Sequence, residues 1–349
     1  MRSFRGEHES IEPIADQIND AASWRLSVAP MMAWTDRHCR AIHRLLAPHA
    51  RLYTEMVSCD ALLHGPGERL LAHGANGHPL GLQLGGSDPE ALAQCARVGS
   101  AAGFDEINLN VGCPSERVQR GAIGAVLMLD PMRVRDCVIA MAEAASVPIT
   151  VKCRIGVNDH DDYEFLTAFT SAVVDHGCHA LIVHARKALL SGLSPAQNRS
   201  IPPLDPMRVH RLKRDFPGLR IVINGGVSNP EECLDHLRHV DGVMLGRAVY
   251  RDPWLLAELE DALHDNPAPA TRKSLLEAVC GYAEQELANG ARLHDITRHL
   301  HGWFNGYPGA RRFRRHLSEH AHRDGANTDV LRAASAMVHE SPEVQCLTA

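Results

Sequence analysis

The sequence predicts a (β/α)8 TIM barrel followed by a small C-terminal all-helical domain, and three observations carry that reading. Short apolar runs, rich in Val, Ile and Leu and too short for core helices, recur along the chain; such runs are the mark of strands buried on both faces, as in parallel sheets. Helical patterns with well-marked starts lie between them. Strand and helix alternate eight times over about 235 residues, close to the ~250 residues of a (β/α)8 barrel. The competing architecture is a doubly wound open sheet. Its dinucleotide fingerprint, G-x-G-x-x-G after the first strand, is missing, and "APMMAWTD" stands there instead.

The strand runs come in order as 26–31 (LSVAPM), 51–57 (RLYTEMV), 79–85 (PLGLQLG), 106–112 (EINLNVG), 148–154 (PITVKCR), 180–185 (ALIVHA), 220–225 (RIVING) and 242–247 (GVMLGR). Asp88-Pro89, Asp130-Pro131, Asn229-Pro230 and Asp252-Pro253 each set a capping side chain before a proline at the first helical position. Glu232, three residues after Asn229, makes a capping-box pattern with Asn in the Ser/Thr role. Val134, Val138 and Met141 share one face at helical spacing. The segment 264–274, "HDNPAPATRKS", reads as a linker. Beyond it "LLEAVCGYAEQELA" and "DVLRAASAMVHE" are helical and no strand signal follows. The expected organisation is a mobile tail over 1–23, the barrel over 24–263 and the helical domain over 271–345.

Composition narrows the class. Hydrophobic residues make up 45% and charged residues 22%, as in soluble globular proteins, and with aromatics at 5% the packing falls to aliphatics and alanine. The net charge of −6 excludes a global basic field for nucleic acid or acidic lipid. The balance is uneven, since residues 271–349 carry ten Lys and Arg against nine Asp and Glu. Four of those arginines form "RRFRR" (Arg311, Arg312, Arg314, Arg315), so any nucleic-acid contact is a local patch. The ten cysteines show no C-x-x-C and no zinc-finger spacing, so a reduced, cytoplasmic protein without a metal is expected. The first twenty residues lack the apolar core of a signal peptide, and no run approaches a membrane span. The chain is expected to act as a monomer.

Active sites of such barrels lie at the C-terminal ends of the strands. Those ends offer Pro30, Met31 and Met32; Glu55; Gln83; Asn110 and Cys113; Lys152 and Arg154; His184, Arg186 and Lys187; Asn224, Gly225 and Gly226; and Gly246 and Arg247. The glycine turns after strands seven and eight lead into helix starts, the usual phosphate site of the fold. Lys152 and His184 suit an anionic or polar ring system deeper in the mouth. Cys113 lies between Gly112 and Pro114, so its thiol stands on a stiff loop; an ordinary cysteine thiol is mostly protonated at neutral pH, and one placed against a carbanion can act as a general acid. On the residues alone plain barrel-closing turns with one internal charge pair stay open as an alternative, as do a phosphate-sugar aldolase with a Schiff base on Lys152 and a non-catalytic RNA binder.

The ordered segments "APMMAWTDRHCR", "YTEMVSCDALLHG", "LNVGCPSERVQRGAIGAVLM", "VKCRIG", "HARKALLSGLSPAQNRSIPPL" and "INGGV…DGVMLGR", followed by "GYPGARRFRRHLSEHA", span most of the chain. Together they resemble the tRNA-dihydrouridine synthases, a family of flavin enzymes, and within it the A subfamily, which acts on uridines 20 and 20a of the tRNA D-loop. The resemblance implies FMN bound by Pro30, Met31, Met32, Gln83, Lys152, His184, Asn224, Gly225, Gly226, Gly246 and Arg247. It implies NADPH as reductant, hydride delivery to C6 of a uracil, and protonation of C5 by Cys113. The base must be extruded from folded RNA. Asn110 would then hold its Watson–Crick edge, while Arg186, Lys187, Arg199, Arg312 and Arg315 would meet tRNA phosphates. Two positions depart from the family pattern: Ile123 replaces a common Phe, and Ala196 stands where a basic residue is usual in the recognition loop.

Overall fold

The computed structural model describes residues 22–74, 77–119, 121–264 and 271–339. The tail expected over 1–23 lies outside these residues up to position 21, as do 265–270 of the linker and 340–345 of the expected helical domain.

Nine strand segments build one all-parallel sheet: β1 (Leu26–Val28), β2 (Leu52–Tyr53), β3 (Val57–Ser58), β4 (Leu80–Gly85), β5 (Glu106–Asn110), β6 (Ile149–Arg154), β7 (Cys178–His184), β8 (Arg220–Asn224) and β9 (Gly242–Leu245). The pairing order is β1-β9-β8-β7-β6-β5-β4-β2, with β3 also on β4. A Ser27–Arg51 bridge closes the ring, through Val28 N–H to Arg51 O (2.9 Å) and Arg51 N–H to Leu26 O (2.9 Å). The fold is a (β/α)8 barrel with a helical C-terminal region. Every strand run from the sequence takes part. The second run is broken, however, into β2 and β3. At the break the Thr54 hydroxyl donates to Glu55 O (2.7 Å) and accepts from the Gln83 amide (3.0 Å), while the Glu55 carboxylate takes the Ala33 amide.

The helices are α1 (Ala22–Arg25), α2 (Arg37–Leu46), α3 (Cys59–His64), α4 (Gly67–Leu71), α5 (Pro89–Ala101), α6 (Glu116–Gln119), α7 (Pro131–Ala144), α8 (Tyr163–Val174), α9 (Pro206–Asp215), α10 (Pro230–His236), α11 (Arg247–Arg251) and α12 (Trp254–His264). Asp88, Asp130 and Asn229 cap α5, α7 and α10 through the amides of Ala91, Arg133 and Glu232. Asp205-Pro206 opens α9 by the same device. At α10 the expected capping box is shifted: Glu232 accepts from the amide and hydroxyl of Ser228 (2.7 and 3.1 Å), one residue before the cap. Val134, Val138 and Met141 of α7 are fully buried on the shared face.

The C-terminal unit holds α13 (Arg272–Ala288), α14 (Leu293–Thr297), α15 (Ala310–His320) and α16 (Asp329–Ala336). A complete capping box, Thr271 with Ser274, starts α13. The unit docks on the loop and helix after β1. Arg37 pairs with Glu286 (2.6 Å), His38 meets the Tyr282 hydroxyl (2.7 Å), and Asp36 joins Arg298 and His299 while capping α2. Burial would raise the Asp36 carboxyl, but His299, the Cys39 amide and Arg298 outweigh it and hold it far below the usual range.

The barrel floor is a buried ion pair, Arg51 with Glu106 (3.1 Å), with Tyr53 donating to Glu106 (2.9 Å) and Trp24 lying under the guanidinium (4.0 Å). These groups fill the lower interior. Among the described residues no helix is long and apolar enough to cross a membrane.

Candidate active site at the mouth of the barrel

A chain of side-chain amides rises from the floor to the mouth. Thr150 donates to Glu106 and accepts from Asn108 Nδ2 (2.7 Å); Asn108 Oδ1 accepts from Gln83 Nε2 (2.8 Å); Gln83 Oε1 accepts from Asn110 Nδ2 (2.8 Å). Each amide is oriented by the one below it, as in a connected buried network. At the top Asn110 Oδ1 accepts from the backbone amides of Gly112 (3.2 Å) and Cys113 (3.0 Å). Asn110 therefore sets the turn that carries the thiol, and one N–H of its amide is left for another partner.

Cys113 is half-buried, whereas the other eight described cysteines are buried and unpaired. Its carbonyl accepts from the Ala125 amide (2.8 Å). Gly124 makes that approach possible: its φ is +78°, and a Cβ there would fall 2.4 Å from the Cys113 oxygen. Two side chains tie the loop to the opposite wall. Buried Arg154 donates to the carbonyls of Gly112 (3.0 Å), Lys187 (3.1 Å) and Asn198 (3.0 Å), and Gln119 donates to those of Pro114 (2.8 Å) and Leu190 (2.9 Å). Asn198, fully buried, staples the loop after β7 through the amide and carbonyl of Leu189 (2.7 and 2.9 Å). Arg154 is legible in the sequence only as a strand-end cation. Gln119 and Asn198 carry no local signal, because their partners lie on other loops.

Across the mouth Lys152 Nζ donates to Asn224 Oδ1 (3.0 Å), and Asn224 Nδ2 donates to Met244 O (2.7 Å). Burial and then the Arg154 charge lower the Lys152 ammonium to about 8. Burial, reinforced by Arg154 and Lys152, pushes His184 well below the usual imidazole value, so it is neutral at physiological pH. Gly225 lies against it: φ is +104°, and a Cβ would come within 2.6 Å of His184 Cδ2. A Cβ on Gly246 would instead project beside Met31 Sδ, at 3.8 Å.

Pro30 and Met31 are half-buried in the loop after β1, and Met32 is 63% exposed. Trp34 of that loop stacks on Tyr250 of α11 (4.3 Å, 6° between planes), a pair that sequence spacing does not reveal. Arg186, Arg199 and Arg247 gather at the rim. Arg186 donates to Pro202 O, Arg247 donates to Arg199 O (3.0 Å), and burial and then the charge of Arg247 lower both other guanidiniums. Among the described residues none of the three has a carboxylate within salt-bridge distance, so the rim holds uncompensated positive charge. Lys187, by contrast, is paired with Asp161 (2.7 Å). Together, a glycine turn, three unneutralised arginines and a wall of neutral His184, Lys152 and Asn224 suit a phosphorylated ring compound.

Arg312 and Arg315 lie on the exposed face of α15, opposite buried Phe313 and Leu317. Arg315 is 3.7 Å from Glu319, and Arg312 reaches Met337 O at 3.4 Å. That helix is linked to the mouth, since Arg314 donates to Asn305 (3.3 Å), which donates to Arg251 O at the end of α11 (2.6 Å). Ala196 and Arg199 are exposed on the loop after β7.

The dihydrouridine synthase family model matches residues 27–339. The chain is 52% identical over 324 residues to the tRNA-dihydrouridine(20/20a) synthase of Vibrio vulnificus, covering 92% of this chain and 99% of the relative. It is 55% identical over 315 residues to the protein of the same name from Xanthomonas campestris pv. campestris, covering 90% and 94%. Against the Escherichia coli protein of that name the figures are 52% over 318 residues, 90% and 96%.

Proposed function

The chain belongs to the dihydrouridine synthase family, and we propose that it reduces the C5–C6 double bond of uridines 20 and 20a in the D-loop of tRNA, the positions in its relatives' names. The observation that carries this reading is the braced Cys113 loop in the same barrel mouth as Lys152, the Gly225–Gly226 turn and the arginine rim. The residues fit FMN. Arg247, Gly225, Gly226 and Gly246 would take its phosphate; Pro30, Met31, Met32, Gln83, Lys152, His184 and Asn224 would line its ring system. When bound and reduced by NADPH, FMN supplies the hydride that saturates C6 of the uracil.

The chain's own residues do the rest. Asn110, with its oxygen committed to the Cys113 loop, offers its remaining N–H to a uracil carbonyl. The Cys113 thiol delivers a proton to C5, so hydride and proton together complete the reduction; the thiolate is then reprotonated from solvent. Arg154 and Gln119 hold the thiol in place through backbone carbonyls. Arg186, Arg199, Arg312 and Arg315 meet phosphates of the folded RNA, and Lys187 joins them when its pair with Asp161 opens. The protein works as a monomer in the cytoplasm. Because its net charge is −6, tRNA binding rests on these patches and weakens as salt rises.

The test is Cys113→Ala. The variant is expected to purify yellow with its flavin intact and to lose dihydrouridine formation on a tRNA transcript by about 10²–10⁴-fold. Undiminished activity would remove Cys113 as the proton donor. Dihydrouridine mapped in tRNA from cells lacking the protein decides positions 20 and 20a.

A further inference from the structure

The far end of the barrel carries a second cluster of ligating side chains. His49 lies in the turn before β2, at the N-terminal ends of the strands and so opposite the mouth. Glu260 and His264 stand four residues apart on α12 and share a face. One ligand atom from each of the three lies within 4.8 Å of the others. Glu260 is 2% exposed; its Oε1 accepts from the His49 amide (3.1 Å) and meets the His49 ring, while its Oε2 is buried with no hydrogen-bond partner. A buried carboxylate oxygen without a donor carries an uncompensated desolvation cost. Arg44 is close enough to feel the charge of Glu260, but its Nη atoms are spent on the carbonyls of Ala47, Pro48, Ala50, Gly77 and Pro79. Among the described residues Glu260 Oε2 thus has an open coordination position, and no arginine or lysine is in hydrogen-bonding contact with the acid.

We propose that His49, Glu260 and His264 form a binding site for one divalent transition-metal ion, Zn²⁺ by its ligand set, distinct from the catalytic mouth. Two imidazole nitrogens and one carboxylate oxygen, with water in the fourth position, are an established tetrahedral zinc set. Zinc–ligand bonds of ~2.0–2.2 Å put ligand atoms ~3.3–3.5 Å apart. The cluster reaches that spacing by rotating the imidazoles, of which the His49 side chain is 53% exposed. The ion clasps the end of α12 to the turn before β2, so its role is structural. Repulsion from Arg44 limits the affinity to the micromolar range.

Flavin-loaded protein stripped with a chelator is titrated calorimetrically with Zn²⁺ alone. Wild type and Cys113→Ala are both expected to bind one equivalent at micromolar concentration and to melt at a higher temperature with zinc present. His49→Gln and Glu260→Gln are each expected to weaken binding at least about tenfold, since losing even an outer-shell partner costs that much. Should Glu260→Gln fail to fold, His49→Gln, at a half-exposed position, still decides. Absence of zinc binding in the wild type, binding untouched by His49→Gln, or binding lost in Cys113→Ala overturns the proposal; the last would place the metal on the active-site thiol.

Discussion

Lys152 is where pH enters the candidate site. Its ammonium, lowered to about 8 by burial and Arg154, donates to Asn224 below that pH and is neutral above it. Flavin affinity is therefore expected to fall as pH rises through about 8, followed by fluorescence titration on either side of that value, and Lys152→Met is expected to flatten the profile. For folding the sign follows from the lowered value. Between about 8 and the ordinary ~10.4 the unfolded chain binds the extra proton, so Lys152 makes the flavin-free protein more stable as pH rises across that window. His184 is neutral throughout and adds no step of its own. Residues of this kind were legible because each ends an apolar run and the fold sends every run's end to one face. Arg154, Gln119 and Asn198 were legible only as residue types. What they do depends on carbonyls presented by distant loops, such as Lys187 and Asn198 for Arg154.

The Cys113 loop shows how an element is built from contacts that no local rule supplies. Its brace includes the Cys113 carbonyl accepting from Ala125, and Gly124 is the residue that lets the two backbones meet. Gly124→Ala is expected to cost about 1–3 kcal/mol in stability. Because its Cβ would strike the Cys113 oxygen at 2.4 Å, it is also expected to slow uridine reduction by up to about a hundredfold at unchanged flavin content. Gly103→Ala is the control. Its φ is +87° but no atom lies within 4 Å of the added Cβ, so stability is expected to fall while the rate holds. Helix starts were readable at this scale, since an Asp or Asn before proline reaches an amide only three residues on. The break between β2 and β3 was not, because it answers to Gln83 and Ala33 on neighbouring strand and loop. For the same reason the Asn229 pattern did not foretell that Glu232 would reach back to Ser228.

At the scale of the whole molecule, Asp36 joins the two parts. It caps α2 through the His38 and Cys39 amides and holds Arg298 and His299 of the helical unit. Asp36→Ala is expected to destabilise the protein by about 2–4 kcal/mol, one cap plus charge-assisted hydrogen bonds, read by chemical denaturation. With its folded pKa far below the usual carboxylate value, the tie contributes stability above the unfolded value of ~3.9 and is lost as pH falls through the folded one, so it persists at mildly acidic pH and fails only in strong acid. The sequence by itself determined the parallel barrel, the helix starts, the inventory of groups at the mouth and the family, because strand burial, capping and motif order are local properties written in consecutive residues. Only the tertiary structure decided the amide ladder that orients Asn110, the braces on Cys113, the uncompensated arginine rim, the docking of the helical unit and the His49–Glu260–His264 cluster. Each of these is a meeting of side chains or carbonyls from separate loops, and distance along the chain carries no information about which of them the closed barrel brings together.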